Sequence, residues 1–127
     1  MLPARHRMRR SSDFAQAIRS GRRTSSRHLV VHLVLQNAHA VPDDPKEWSS
    51  EPEPARVGFV VSKAVGNAPQ RNRVKRRLRE LSYRHLPLLP AGSLTVIRAL
   101  PAARTALYEE LGSELVRCVT AAKRRSR

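Results

Sequence analysis

The chain has 127 residues, 25 Lys and Arg against 10 Asp and Glu, a formal charge of +15 and a pI near 11.7. That length suits one domain with a modest core, and that charge on a compact body calls for a polyanionic partner, nucleic acid ahead of an anionic membrane. A lone cysteine, Cys118, excludes an intramolecular disulfide; with no signal-peptide stretch in "MLPARHRMRRSS" and no bilayer-long apolar run, the expected location is the cytoplasm.

Residues 1–10 read as a basic arm, mobile unless bound. "SSDFAQAIRSG" reads as a short helix, with Ser11 or Ser12 as N-cap, Asp13 in the first turn and Gly21 at the end. Phe14 and Ile18, four apart, share one of its faces. Residues 22–25 allow a short strand. "RHLVVHLVLQ" (27–36) alternates as a clear strand. Leu29, Val31, Leu33 and Leu35 point to the core, while His28, Val30, His32 and Val34 form a mixed face open to a partner.

Residues 37–54 are Pro-rich, aperiodic and acidic, carrying Asp43, Asp44, Glu47, Glu51, Glu53 and an isolated Trp48. They read as a long flexible loop. "ARVGFVVS" (55–62) is the next strand, and a helix runs from near Pro69 to about His85. "GSLTVIRAL" (92–100) is a further strand. A last helix from about Ala103 to Ala122 carries an apolar stripe of Leu107, Leu111, Leu115, Cys118 and Val119, which makes Cys118 a core residue rather than a nucleophile. Residues 123–127 form a basic tail. The order predicts a single α+β domain, with helices packed on one mixed sheet.

The helix after Pro69 concentrates the charge. Val74, Leu78 and Leu81 make one narrow apolar seam; Asn72, Arg76 and Arg79 lie opposite it, and Tyr83 continues that outer line. Arg71 and Lys75 flank one side, Arg73 and Arg77 the other. An ordinary solvated face mixes cations with Glu at helical spacing, but Glu80 is the only acid between Gly66 and His85. The guanidinium fork matches phosphate oxygens, and Asn72 can reach a base edge or a 2′-hydroxyl. "SKAVGNAPQRN" lacks the glycine spacing and the Lys-Ser/Thr of a nucleotide-binding loop, although amides near Gly66 can still receive a backbone phosphate. His28 and His32 on one strand face raise an acid–base pair, yet no third residue completes it; two polar residues on an open face is the simpler reading. One Cys and scattered His give no metal-ligand spacing.

The segment "RVGFVVSKAVGNAPQRNRVKRRLRE" resembles the signature of the bacterial ribonuclease P protein component, with its SK, GNA and RNR–x–KR elements in order. The likeness extends to "RHRMRRSSDFAQAI", "SGRRTSSRHLVVHLVL" and "GSLTVIRALPAA". It implies an αβββαβα sandwich with a four-stranded mixed sheet and a left-handed βαβ crossover, where general chain rules favour a right-handed one. It also implies an accessory subunit of an endoribonuclease ribonucleoprotein, with no catalytic residue in the protein. The partner RNA carries the catalytic Mg²⁺, and the substrate is precursor tRNA, cut at the mature 5′ end.

On this likeness the catalytic RNA is held by Arg71, Asn72, Arg73, Lys75, Arg76 and Arg79, approached by Lys63, Gly66 and Asn67. The 5′ leader is received by Phe14, Ile18, Val30 and His32, with Arg9, Arg10 and Arg27 on its phosphates. Relatives often carry aromatic rings where this chain has Ile18 and His32, which shifts leader grip towards arginine. The alternative is a general RNA-binding or ribosomal-type protein without a processing role, which charge and size fit equally well. A protein-only nuclease and a membrane-surface role are the weaker readings, the latter because the basic helix has charge almost all round.

Overall fold

The computed structural model describes residues 2–35 and 54–125. The expected acidic loop, with Trp48, lies outside the described residues apart from Pro54, as does the end of the basic tail. Helix α1 is Ser11–Ser20, followed by β1 (Arg22–Ser25), β2 (Leu29–Val34), β3 (Arg56–Val60), α2 (Ala68–Arg84), β4 (Leu94–Ala99) and α3 (Tyr108–Arg125). Single 3₁₀ turns at Ala4–His6, Leu86–Leu88 and Pro101–Thr105 link them.

The strands form one sheet in the order β1-β2-β4-β3. β1 and β2 are antiparallel, as are β2 and β4, while β3 runs parallel to β4. Parallel neighbours need a crossover, and α2 supplies it. Side chains alternate across the sheet, so each face packs its own cluster. Leu29 and Val31 of β2, Val57 of β3 and Ile97 of β4 meet Val74, Leu78 and Leu81 of α2 and Leu111, Leu115, Cys118 and Val119 of α3. Cys118 is thus a buried core residue. On the opposite face Ala17 and Phe14 of α1 cover Leu94, Val96, Val34 and Val60, joined by Met8.

Four local expectations change. The N-cap of α1 is Arg10, whose side chain makes no capping bond, so neither serine plays that part. The basic arm is folded: Leu2 and Met8 are buried, because two apolar side chains on either side of the arginines anchor it. Leu107 stands outside the α3 stripe and is 66% exposed. It precedes the helix, which starts at Tyr108 rather than near Ala103: Pro101–Thr105 form a 3₁₀ turn, and the Leu107 N–H donates to the Glu110 carboxylate at 3.0 Å just before α3.

The fourth change removes the histidine pair. His28 lies before β2 and turns to α3, where its Nδ1 is 2.5 Å from Glu114 Oε2 and its backbone N–H donates to Glu114 Oε1 at 2.8 Å. His32 keeps the strand's alternation and faces the α1 side. Burial alone would raise the Glu114 carboxyl, but hydrogen bonds from Ser26 and from the ring and backbone of His28 outweigh it and hold it below the ordinary glutamate range. The pair therefore clamps α3 to the turn before β2 and separates His28 from His32.

Candidate RNA-binding surfaces

α2 begins with a reciprocal cap. The Gln70 N–H donates to Asn67 Oδ1 at 3.0 Å, and the Asn67 N–H donates to Gln70 Oε1 at 2.9 Å. A Cβ on Gly66 would sit 2.3 Å from that same Gln70 oxygen, so glycine is what leaves room for the cap. Gly66 and Asn67 therefore build the helix start, with Pro69 in its first turn. No acid lies in that first turn, so the positive end of the helix dipole is uncompensated there.

Val74, Leu78 and Leu81 are buried as the periodicity requires, and they set the helix rotation. Asn72, Arg73, Arg76 and Arg79 are left exposed, with Lys63 exposed just before the helix. Arg71, Lys75 and Arg77 are half-buried at the flanks. Arg77 donates to the Ala106 carbonyl at 3.3 Å, which ties it to the turn before α3. Glu80, the single acid of the helix, pairs with Arg84 at 3.4 Å rather than with the ridge. Asn72, Arg76 and Arg79 along the outer line and Arg73 beside it, the three arginines without a carboxylate partner among the described residues, make a face suited to a phosphate backbone.

The second surface lies between α1 and the sheet. A Cβ on Gly58 would come within 2.5 Å of the Phe14 ring and 3.1 Å of Met8 Sδ, so the bare backbone of β3 seats that ring. Ile18 is half-exposed above the same face. Facing partners across the sheet put Arg23, His32, Val96 and Gly58 in one row, and Ser25, Val30, Arg98 and Val60 in the next. Val30 and His32, expected on a face open to a partner, are buried beside α1 and form the floor rather than the walls. Burial, then the charges of Arg23 and Arg98, push the His32 ring below its usual value, so it is neutral at pH 7. Its Nδ1 is buried without a hydrogen-bond partner.

Arg23 and Arg98 were missed in the sequence. The signal was available: "SLTVIRAL" alternates, and Arg98 shares its parity with Leu94 and Val96. Arg9 and Arg10 are exposed at the entrance to α1. Arg27 lies elsewhere. It lines an open recess with Glu109, Glu110 and Arg117 of α3, because the turn that carries it is drawn to α3 by the His28–Glu114 pair. Among the described residues no group of three or more His, Cys, Asp or Glu is placed to hold a metal ion. Nor is any helix there long and apolar enough to cross a membrane.

Fold and surfaces together define a small α+β protein whose arginine-rich helix face suits a nucleic-acid partner. The family profile of ribonuclease P matches residues 2–123. The chain is 49% identical to the ribonuclease P protein component of Salinispora tropica over the full length of both, and 48% identical to that of Kocuria rhizophila over 98% of each. Its fold superposes on the Staphylococcus aureus RNase P protein with a TM-score of 0.73 at 25% identity, covering 93% of this chain and 95% of that one. The Thermotoga maritima RNase P protein gives a TM-score of 0.69 at 20% identity, covering 91% and 96%.

The chain belongs to the bacterial ribonuclease P protein family. It is the accessory protein subunit of a ribonucleoprotein endonuclease that produces the 5′ ends of tRNA, and its partner is the ribonuclease P RNA. A general RNA-binding role without processing is thereby set aside.

Proposed function

We propose that the two surfaces divide the work of this subunit. α2 docks on the catalytic RNA through Asn72, Arg73, Arg76 and Arg79, with Arg71 and Lys75 at its flank and Lys63 at its approach. Gly66 and Asn67 contribute through the helix N-terminus they build rather than through their side chains. The observation that carries this is the rotation of α2: its apolar seam is buried, which leaves an un-neutralised arginine ridge outward. The α1 cleft takes the single-stranded 5′ leader of precursor tRNA. Phe14 offers a ring for base stacking, Ile18 an apolar wall, and Val30 and neutral His32 the floor. Arg9, Arg10, Arg23 and Arg98 supply the phosphate contacts; Arg27 is left out.

In this reading bond cleavage belongs to the RNA, which holds the Mg²⁺ ions, and the protein acts by positioning substrate and screening phosphate repulsion. It works in the cytoplasm. Assembly and cleavage test it together. At low millimolar Mg²⁺, 5′ cleavage of precursor tRNA should need both protein and catalytic RNA. Arg71→Ala with Arg76→Ala should weaken assembly and lower the slope of log affinity against log salt by about 1–2, one phosphate per arginine. Unchanged assembly at physiological salt would remove α2 from the RNA interface.

A further inference from the structure

Outside α2, a group of five arginines lies where the N-terminal arm crosses the β3 edge. The arm is held there by its backbone. Met8 N–H donates to the Val57 carbonyl at 2.9 Å, His6 Nδ1 lies 2.8 Å from the Ala55 carbonyl, and Arg7 bridges Val57 in parallel. Leu2 is buried in the cluster beneath α2 and α3, and Met8 in the cluster beneath α1. The arm thus wraps from one face of the sheet to the other around its open edge.

Arg5, Arg7, Arg9 and Arg10 of the arm and Arg56 of β3 line an open hollow of about 340 Å³. Arg7 Nε donates to the Leu2 carbonyl, and Arg56 lies 3.7 Å from Asp13, the one carboxylate paired with this group among the described residues. Covering an edge strand protects it from pairing with another chain, but protection does not call for five guanidiniums in one basin. Their mutual repulsion is a cost that a bound polyanion relieves.

We propose that this hollow is a second phosphate site for the single-stranded leader, adjoining the α1 cleft through the shared Arg9 and Arg10 and extending beyond it through Arg5, Arg7 and Arg56; the proposal rests on the leader reading above. The leader is favoured over the catalytic RNA because the hollow opens on the α1 side. Arg56 reaches the α1 side chain Asp13, and Arg9 and Arg10 run directly into Ser11. Arg56 also shares its sheet face with Gly58 and Val60. The hollow therefore lies on the same side of the sheet as Arg23, His32 and Arg98, at its β3 edge and beyond the Phe14 ring.

The test uses reconstituted holoenzyme and precursor tRNA carrying neutral methylphosphonate linkages at successive leader positions. Wild type should lose affinity in two separate windows of positions. The R5Q/R56Q double variant should lose sensitivity in one window and keep the other. It should bind leader-bearing precursor about tenfold more weakly, with a salt slope reduced by about 1.4 for two single-strand phosphates, and bind mature tRNA as wild type does. R5K/R56K should restore most of the loss. Arg5→Gln alone, a change at an exposed side chain, should show the same window with a smaller effect, which separates the result from misfolding.

Two windows persisting in R5Q/R56Q would overturn the proposal and leave the cleft reading intact. Equal weakening towards mature tRNA, or weaker assembly with catalytic RNA alone, would give the hollow to the catalytic RNA instead. No sensitive position anywhere in wild type would bring down the leader reading itself, and this proposal with it.

Discussion

The two faces of the sheet differ in how they are covered. One carries α2 and α3 and is apolar from Leu29 through Ile97 to Leu115, with the polar His28–Glu114 pair fully engaged at its border. The other carries the ten-residue α1, too short to close it, and keeps Arg23, His32 and Arg98 in its floor. Buried polar atoms without a hydrogen-bond partner occur on both sides, Thr95 Oγ1 and Ser82 Oγ on the first and His32 Nδ1 on the second, but only the second adds arginines beside them. α2 serves both ends: its inner seam belongs to the core and its outer ridge to the RNA.

If that division holds, core changes on the first face should unfold the protein without altering RNA preference. Leu78→Ala, at a fully buried position, should cost about 2–5 kcal/mol in chemical denaturation. A loss of RNA affinity with unchanged stability would contradict the division.

Glu114→Gln should cost about 1–3 kcal/mol, since it weakens two buried hydrogen bonds from His28. The pH dependence sharpens this. The folded carboxyl titrates below the 4.5 of an unperturbed glutamate, so its contribution is complete above that value and is lost as pH falls through the lower folded value. Acid denaturation curves of wild type and Glu114→Gln should therefore converge at low pH.

On the second face, Gly58→Ala should displace the Phe14 ring. Precursor affinity should fall about tenfold, within the range of one lost stacking contact, while assembly with the catalytic RNA is unchanged. His32 gives the smallest effect. Its folded ring titrates below 6.5, so the unfolded chain takes up the proton first and stability declines as pH drops below 6.5. In His32→Gln that first shallow decline should be absent from the stability–pH profile.

Elements with strong periodicity were legible in the sequence. The seam of α2 at Val74, Leu78 and Leu81 predicted its rotation, and hence which arginines face outward, because 3.6 residues per turn leaves few alternatives. The motif order from Arg56 to Glu80 carried the family. Less was legible where short segments meet distant ones. Nothing near the arm announces that Leu2 and Met8 are buried on opposite faces of the sheet, since both depend on where β3 lies. Leu107 fits a helical stripe by spacing and fails it because a Glu110 cap starts the helix later.

Charge, the cationic ridge and the class of partner were thus determined by the sequence itself, through composition and local periodicity. Tertiary structure alone decided the rest. It drew His28 and Arg27 to α3 and away from His32, paired Arg23 and Arg98 around that ring, and gathered five arginines at the β3 edge. The physical reason is range. Helical and strand periods act over a few residues, whereas these groupings join residues dozens of positions apart, and only strand order and helix packing bring them into contact.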